Sequence, residues 1–66
     1  MKVTVLIWQC RNQKGFTLME LEKLTGISHS ALGNYENNKR SPRLDQLALI
    51  ADALNLNITD LFIVEK

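Results

Sequence analysis

Polar side chains that form hydrogen bonds are concentrated between residues 28 and 43. This stretch combines an imidazole, hydroxyls, amides and cations, carried by Ser28, His29, Ser30, Asn34, Asn37, Asn38, Lys39, Arg40 and Arg43. Amide, imidazole and hydroxyl groups match the donor and acceptor edges of bases, and cations match phosphates. The chemistry indicated is therefore recognition of a nucleic acid through hydrogen bonds and charge.

Covalent and metal chemistry are not indicated by the residue types. The chain has one cysteine, Cys10, and one histidine, His29, so it can form neither an internal disulfide nor a Cys/His metal cluster. It offers no His/Ser/Asp set, no phosphate-binding loop and no core large enough to build a deep cleft. We expect no enzyme activity, no metal, no cofactor and no small-molecule ligand.

The charge is distributed unevenly although the net charge is only +1. Residues 1–43 contain seven Lys and Arg against three Glu, whereas residues 44–66 contain one Lys against four acidic residues. One half of the chain can therefore face phosphates while the other stays acidic. A solvated surface with an accidental asymmetry would give the same counts, so charge alone does not decide for DNA.

The length of 66 residues allows one domain, which we place over residues 1–66. The apolar segment 1–10 is much too short to span a bilayer, and no small-residue cleavage site follows it. The lone thiol fits a reducing compartment. We expect a cytoplasmic protein that does not bind a membrane.

Two short helices around a glycine turn are predicted in the middle of the chain. Thr17 is a good N-cap and Glu20 follows at capping-box spacing, so one helix is expected from Leu18 to Leu24. Gly26 can adopt positive φ at low cost and ends this helix. Ser28 then provides an N-cap for the next helix.

The second helix of the pair is expected from His29 to Glu36. Its only apolar residues are Ala31, Leu32 and Tyr35, which form one thin buried stripe. The outer face is small or polar, and Gly33 has no side chain that would keep the helix away from a base or a sugar. Such a helix fits the width of the major groove of DNA.

These two helices predict a helix-turn-helix motif over residues 17–37, with a recognition helix at residues 28–37. A preceding helix is expected from Val5 to Lys14, and a following one from Arg43 or Leu44. Asn57 is expected to cap a last short helix.

The stretch RNQKGFTLMELEKLTGISHSALGNYENNKRSP resembles the Cro/cI-type repressor domain, also called the XRE family, and the likeness extends over residues 7–62. The matching features are Arg11, Gly15, Thr17, Leu21, Gly26-Ile27-Ser28, Leu32, Glu36, Lys39, Pro42, the apolar positions Leu44, Leu47, Ile50, Ala51 and Leu54, and Asp60-Leu61-Phe62. The resemblance implies an all-α fold, a compact bundle of five helices that usually works as a dimer on palindromic operators. It also implies a protein encoded by a prokaryote or a phage, associated with the nucleoid when bound.

The resemblance also assigns site residues. It places His29, Ser30 and Asn34 where base edges are read. The expected DNA contacts in full are Thr17, Leu18, Ser28, His29, Ser30, Gly33, Asn34, Asn37, Asn38, Lys39, Arg40 and Arg43, with the residues from Asn37 onward next to phosphates. It further implies a partly buried ion pair between Arg11 and Glu36. The alternative is that both charges are exposed and contribute very little to the stability of the fold.

Two positions depart from the family pattern. The family has a glutamine that contacts phosphate where this chain has Leu18, so only the backbone amides behind Thr17 and the helix dipole remain for that phosphate. Many members have an alanine where this chain has Glu22, whose side chain we expect to point outward.

Apolar residues near both ends predict an apolar surface patch that is too large to stay exposed to water in a monomer. They are Val3, Val5, Trp8, Ile63 and Val64. We expect the two ends to pair as short antiparallel strands and to help build a homodimer. The alternative is that Trp8 folds back over the C-terminal residues of its own chain.

The function predicted from sequence is a sequence-specific regulator of transcription that binds double-stranded DNA, acting as a dimeric repressor that occupies its operator. The alternative is a protein-interaction module of the same fold, such as an antitoxin or the partner of another regulator.

Overall fold

The computed structural model describes all 66 residues, and its main elements are four α-helices and a two-stranded sheet. In chain order the elements are β1 (Lys2–Val5), α1 (Ile7–Lys14), α2 (Leu18–Thr25), α3 (His29–Glu36), α4 (Leu44–Ala53), a single 3₁₀ turn (Ile58–Leu61) and β2 (Phe62–Glu65). The mostly helical fold with a helix-turn-helix at its centre agrees with the expectation. None of the four helices has the length and apolar composition that a membrane span requires.

The expected fifth helix is not an α-helix. The Asn57 amide donates to the carboxylate of Asp60 at 3.0 Å, which starts a helical turn, but the turn ends after four residues. Phe62 is already fully extended, with φ −152° and ψ 157°. Because Phe62 lies opposite Val5 in the sheet, strand pairing leaves no room for an i→i+4 bonded helix in this segment.

The two ends of the chain pair as antiparallel strands, as the β-branched residues predicted. The register joins Val3 to Val64 and Val5 to Phe62. Opposite residues lie on the same face of a sheet, so these four side chains share one face. The same pairing explains why α1 begins at Ile7 rather than at Val5.

Tight turns set the angle between successive helices. Gly26 ends α2 with φ 77°, the left-handed conformation that glycine adopts without strain, and its amide donates to the carbonyl of Glu22. The Thr25 hydroxyl donates to the Leu21 carbonyl at 2.8 Å and accepts from the Ile27 amide at 3.1 Å. These bonds occupy the backbone groups of the turn and fix the direction in which α3 leaves it.

The core is built from the inner faces of the helices. Its fully buried side chains are Ile7, Leu21, Leu32, Ile50, Leu54 and Leu61. Every α-helix and the 3₁₀ turn contributes at least one of them. Each such side chain stabilises the fold by roughly 1.5–3 kcal/mol relative to leaving it in water. Helix α3 contributes only a narrow apolar stripe to this core, and its outer side remains exposed.

Candidate nucleic-acid interface

Helix α3 has a buried side and an open side. Leu32 and Tyr35 are buried, whereas His29 and Ser30 are exposed and Asn34 is half-buried. No side-chain hydrogen bond within the chain involves Ser30 or Asn34. Both side chains therefore keep their hydrogen-bonding groups available for a partner.

The N-terminus of α3 is capped from two directions. The Ser28 hydroxyl accepts from the Ala31 amide at 3.1 Å, so this side chain is engaged in capping the helix. Glu22 on α2 also reaches across, and its Oε1 accepts from the His29 amide at 3.2 Å and lies 2.8 Å from His29 Nδ1. This contact replaces the outward-pointing Glu22 that the sequence suggested.

The contact with His29 changes the acidity of Glu22. The hydrogen bond from the His29 side chain, followed by the one from its amide, lowers the pKa of Glu22 below its ordinary value. Glu22 is therefore ionised at neutral pH. Its negative charge lies at the start of α3, where the helix dipole favours an anion.

The segment after α3 brings cations to the end of the helix. Asn38 adopts φ 61°, a left-handed conformation that asparagine tolerates, and the chain turns sharply there. The amide of Lys39 then donates to the Asn34 carbonyl at 2.9 Å, and that of Arg40 to the same oxygen at 3.4 Å. The side chains of Lys39 and Arg40 are exposed and form no ion pair.

Gln46 on α4 fixes the far end of this segment. Its Oε1 accepts from the Tyr35 hydroxyl at 2.8 Å and from the Arg43 amide at 3.0 Å. Arg43 Nε lies 3.3 Å from a carboxylate oxygen of Asp45, and both side chains are exposed, so the pair leaves the guanidinium open to water. Sequence reasoning missed Gln46 because nothing local to it indicates a tertiary partner.

Arg11 on α1 is tied to the last residue of α3. Its Nε donates to Glu36 Oε2 at 2.7 Å, one NH₂ group donates to Oε1 at 3.2 Å, and the other donates to the Phe16 carbonyl at 2.8 Å. The side chains are only 11% and 5% exposed. The pair is thus bidentate and nearly dry, which is the geometry in which a guanidinium–carboxylate contact is strongest.

The N-terminus of α2 presents free backbone amides. Thr17 Oγ1 accepts from the Glu20 amide at 3.1 Å, and Glu20 Oε1 accepts from the Thr17 amide at 2.9 Å, which completes the capping box. The amides of Leu18 and Met19 precede the first intrahelical bond, which runs from Leu21 to Thr17. The Leu18 side chain packs against the core, so its backbone alone is available at this end.

Cys10 lies away from the described contacts. It is half-buried on α1 and its Sγ lies 3.5 Å from the Asp60 carbonyl oxygen, to which it donates. Burial raises the pKa of the Cys10 thiol, and the nearby Asp60 charge adds to this effect. A thiol that stays protonated is a poor nucleophile, which favours a packing role.

A helix-turn-helix held in this way, with an open polar helix followed by cations, defines a class of DNA-binding domain. Residues 9–61 match a helix-turn-helix family, and the chain belongs to this family of DNA-binding transcriptional regulators. The XRE-type resemblance stated from sequence is thereby confirmed.

Similar proteins agree with this assignment. The chain is 42% identical over 48 residues to the HTH-type transcriptional regulator SutR of Escherichia coli K12; the match covers 73% of this chain but 27% of SutR, so the chain spans about a quarter of that relative's length. It also superposes with TM-score 0.88 and 26% identity on the crystal structure of a candidate DNA-binding protein from Bacteroides fragilis, covering 94% of this chain and all of that one.

We predict that Arg11→Met destabilises the fold by about 3–5 kcal/mol, because it leaves the buried Glu36 carboxylate without its partner. Lys14→Met, which removes an exposed cation from the same helix, is expected to change the free energy of unfolding by less than about 0.5 kcal/mol. Urea denaturation followed by circular dichroism measures both. Equal effects of the two substitutions would show that the Arg11–Glu36 contact does not hold α3.

The capping box predicts a loss of stability in acid. Hydrogen bonds from the backbone and side chain of Thr17 lower the pKa of Glu20 below its ordinary value of 4.5. A lowered pKa in the folded state stabilises the fold above pH 4.5, and this contribution is lost as the pH falls below that value. Glu20→Gln should therefore reduce the drop in melting temperature between pH 6 and pH 3. An unchanged drop would contradict the role of the Glu20 charge.

Proposed function

We propose that this chain binds double-stranded DNA in a sequence-specific manner, with α3 lying in the major groove. The observation that carries the proposal is the open side of α3, where the side chains of Ser30 and Asn34 form no hydrogen bond within the chain and His29 is half exposed. An amide can bond adenine bidentately, and a hydroxyl can contact several bases. Gly33 lies between these side chains on the helix and allows close approach to the DNA.

Phosphate contacts flank this helix in the proposed complex. The free N–H groups of Leu18 and Met19, which follow the Thr17 cap, face one phosphate at the N-terminus of α2, where the helix dipole also favours an anion. At the C-terminal end of α3 the phosphate contacts come from Asn37, Asn38, Lys39, Arg40 and Arg43. Ser28, which caps the start of α3, lies next to the DNA at the other end of the helix. The unpaired side chains of Lys39 and Arg40 support this assignment, because each can neutralise a phosphate without first breaking an ion pair.

We further propose that the chain acts as a homodimer on a palindromic operator and represses transcription by occupying it. A two-fold dimer would place its two α3 helices in successive major grooves, about 34 Å apart. Support for a dimer comes from exposed apolar side chains near the paired strands: Val3, Trp8, Ile63 and Val64 are each about half exposed, while Val5 is half-buried beside them. We place this activity in the cytoplasm of a prokaryotic or phage-infected cell.

Selection of bound sequences from random DNA tests the DNA proposal. A preferred half-site should emerge, and Asn34→Ala should weaken binding to the selected site by roughly five- to a hundredfold, as the loss of a bidentate base contact does. Lys39→Ala should weaken selected and unrelated DNA alike and reduce the slope of log affinity against log salt by about 1. Lys66→Ala is the charge-matched control. Absence of any sequence preference would contradict the proposal and favour a protein-interaction module.

Sedimentation tests the dimer. Analytical ultracentrifugation at tens of micromolar should show a mass above that of the 7.5 kDa chain. Trp8→Ser should shift the population toward monomer, because it removes the largest exposed apolar side chain near the strands, whereas Met19→Ser, an equally exposed apolar residue on α2, should not. A monomer mass for the unaltered chain at that concentration would overturn the dimer proposal.

A further inference from the structure

One ring nitrogen of His29 is anchored within the chain while the other is free. Glu22 Oε1 lies 2.8 Å from His29 Nδ1 and accepts from the His29 amide at 3.2 Å. No hydrogen bond within the chain involves Nε2, and the imidazole is 54% exposed. The Glu22 side chain is 34% exposed. The ring is therefore held by one nitrogen and presents the other outward.

The chemistry of the contact determines where the ring hydrogen resides. An ionised carboxylate oxygen can only accept hydrogen bonds. Its approach to Nδ1 is favourable when Nδ1 carries a hydrogen and repulsive when Nδ1 presents a lone pair. The lowered pKa of Glu22 has the same origin, since the His29 bonds favour the anion. In a neutral imidazole with hydrogen on Nδ1, Nε2 is an acceptor.

Resting on the function proposed above, we propose that Glu22 is a positioning residue that fixes the tautomer of His29, so that Nε2 accepts a hydrogen bond from a base amino group. The major groove offers two such donors, the N6 amino group of adenine and the N4 amino group of cytosine. Guanine presents N7 and O6, and thymine presents O4, all acceptors. The neutral His29 ring therefore selects adenine or cytosine on the contacted strand and disfavours guanine and thymine.

Without Glu22 the selection is lost, because either nitrogen can then carry the hydrogen. A ring with hydrogen on Nε2 donates to guanine O6 or N7 as readily as the other tautomer accepts from an amino group. The carboxylate on α2 thus determines a base preference that is expressed by a side chain on α3, without touching DNA itself.

The tautomer can be measured directly because His29 is the only histidine of the chain. Nitrogen-15 chemical shifts of the ring, recorded at pH 8.5 on the free protein, should show hydrogen on Nδ1. Glu22→Ala should move the hydrogen mainly to Nε2. Glu22→Gln keeps an oxygen that can accept the same two bonds, and should retain the hydrogen on Nδ1. A ring with hydrogen on Nε2 in the unaltered protein would overturn the proposal.

The base preference is measured by selection from random DNA at the same pH. His29→Ala identifies the base pair read by His29 as the position whose preference disappears. At that position Glu22→Ala should reduce the preference for adenine or cytosine over guanine by about three- to tenfold, while preferences elsewhere in the site persist. Asp52→Ala, which removes the same charge from an exposed position on α4, should leave the preference unchanged.

These measurements separate the two proposals. A fixed tautomer with no sequence preference in any variant would contradict sequence-specific DNA binding, and with it base selection by His29. Sequence-specific binding in which Glu22→Ala leaves the tautomer or the preference unchanged would contradict the role of Glu22 alone.

Discussion

The contact between Arg11 and Glu36 is the constraint on which the DNA-facing part of the molecule depends. It joins α1 to the C-terminal end of α3, and the same guanidinium also holds the Phe16 carbonyl before α2. Removing two charges from water is costly, and the cost is offset only when every hydrogen-bonding group is satisfied. Here three of the five guanidinium N–H groups donate within the chain, both carboxylate oxygens accept, and no side-chain nitrogen or oxygen is left buried without a partner. A single side chain therefore links α1 to the start of α2 and to the end of α3.

The other end of α3 is fixed by different means. Ser28 and Glu22 occupy the first amides of the helix, and Leu32 holds its inner face on the core. Tyr35 joins the last turn to Gln46 on α4. A helix restrained at both ends loses little conformational entropy when it docks into a groove, so more of its contact energy is available for discrimination between sequences.

Features that depend on neighbouring residues were predictable from sequence. Side chains that act within a few positions determine the bounds of α3, the Thr17–Glu20 capping box and the turn at Gly26. The paired ends followed from β-branched residues. The prediction of a fifth helix was wrong because Phe62 pairs with Val5 in the sheet, and these two residues are separated by nearly the whole chain. The Glu22–His29 and Tyr35–Gln46 contacts join different helices, and local patterns do not indicate which polar side chains meet across a fold.

The two-stranded sheet has a kinetic consequence. The contacts that shape the helix-turn-helix join residues at short to moderate separations in sequence, 7 positions for Glu22 and His29, 11 for Tyr35 and Gln46, and 25 for Arg11 and Glu36. The β1–β2 ladder instead closes a loop that contains almost the entire chain, and the entropy of closing such a loop grows with its length. The strands have only four residues each and most of their side chains are exposed, so their pairing offsets little of that entropy. The sheet is therefore the part of the fold that forms late and opens first, while the helices behind it can remain assembled.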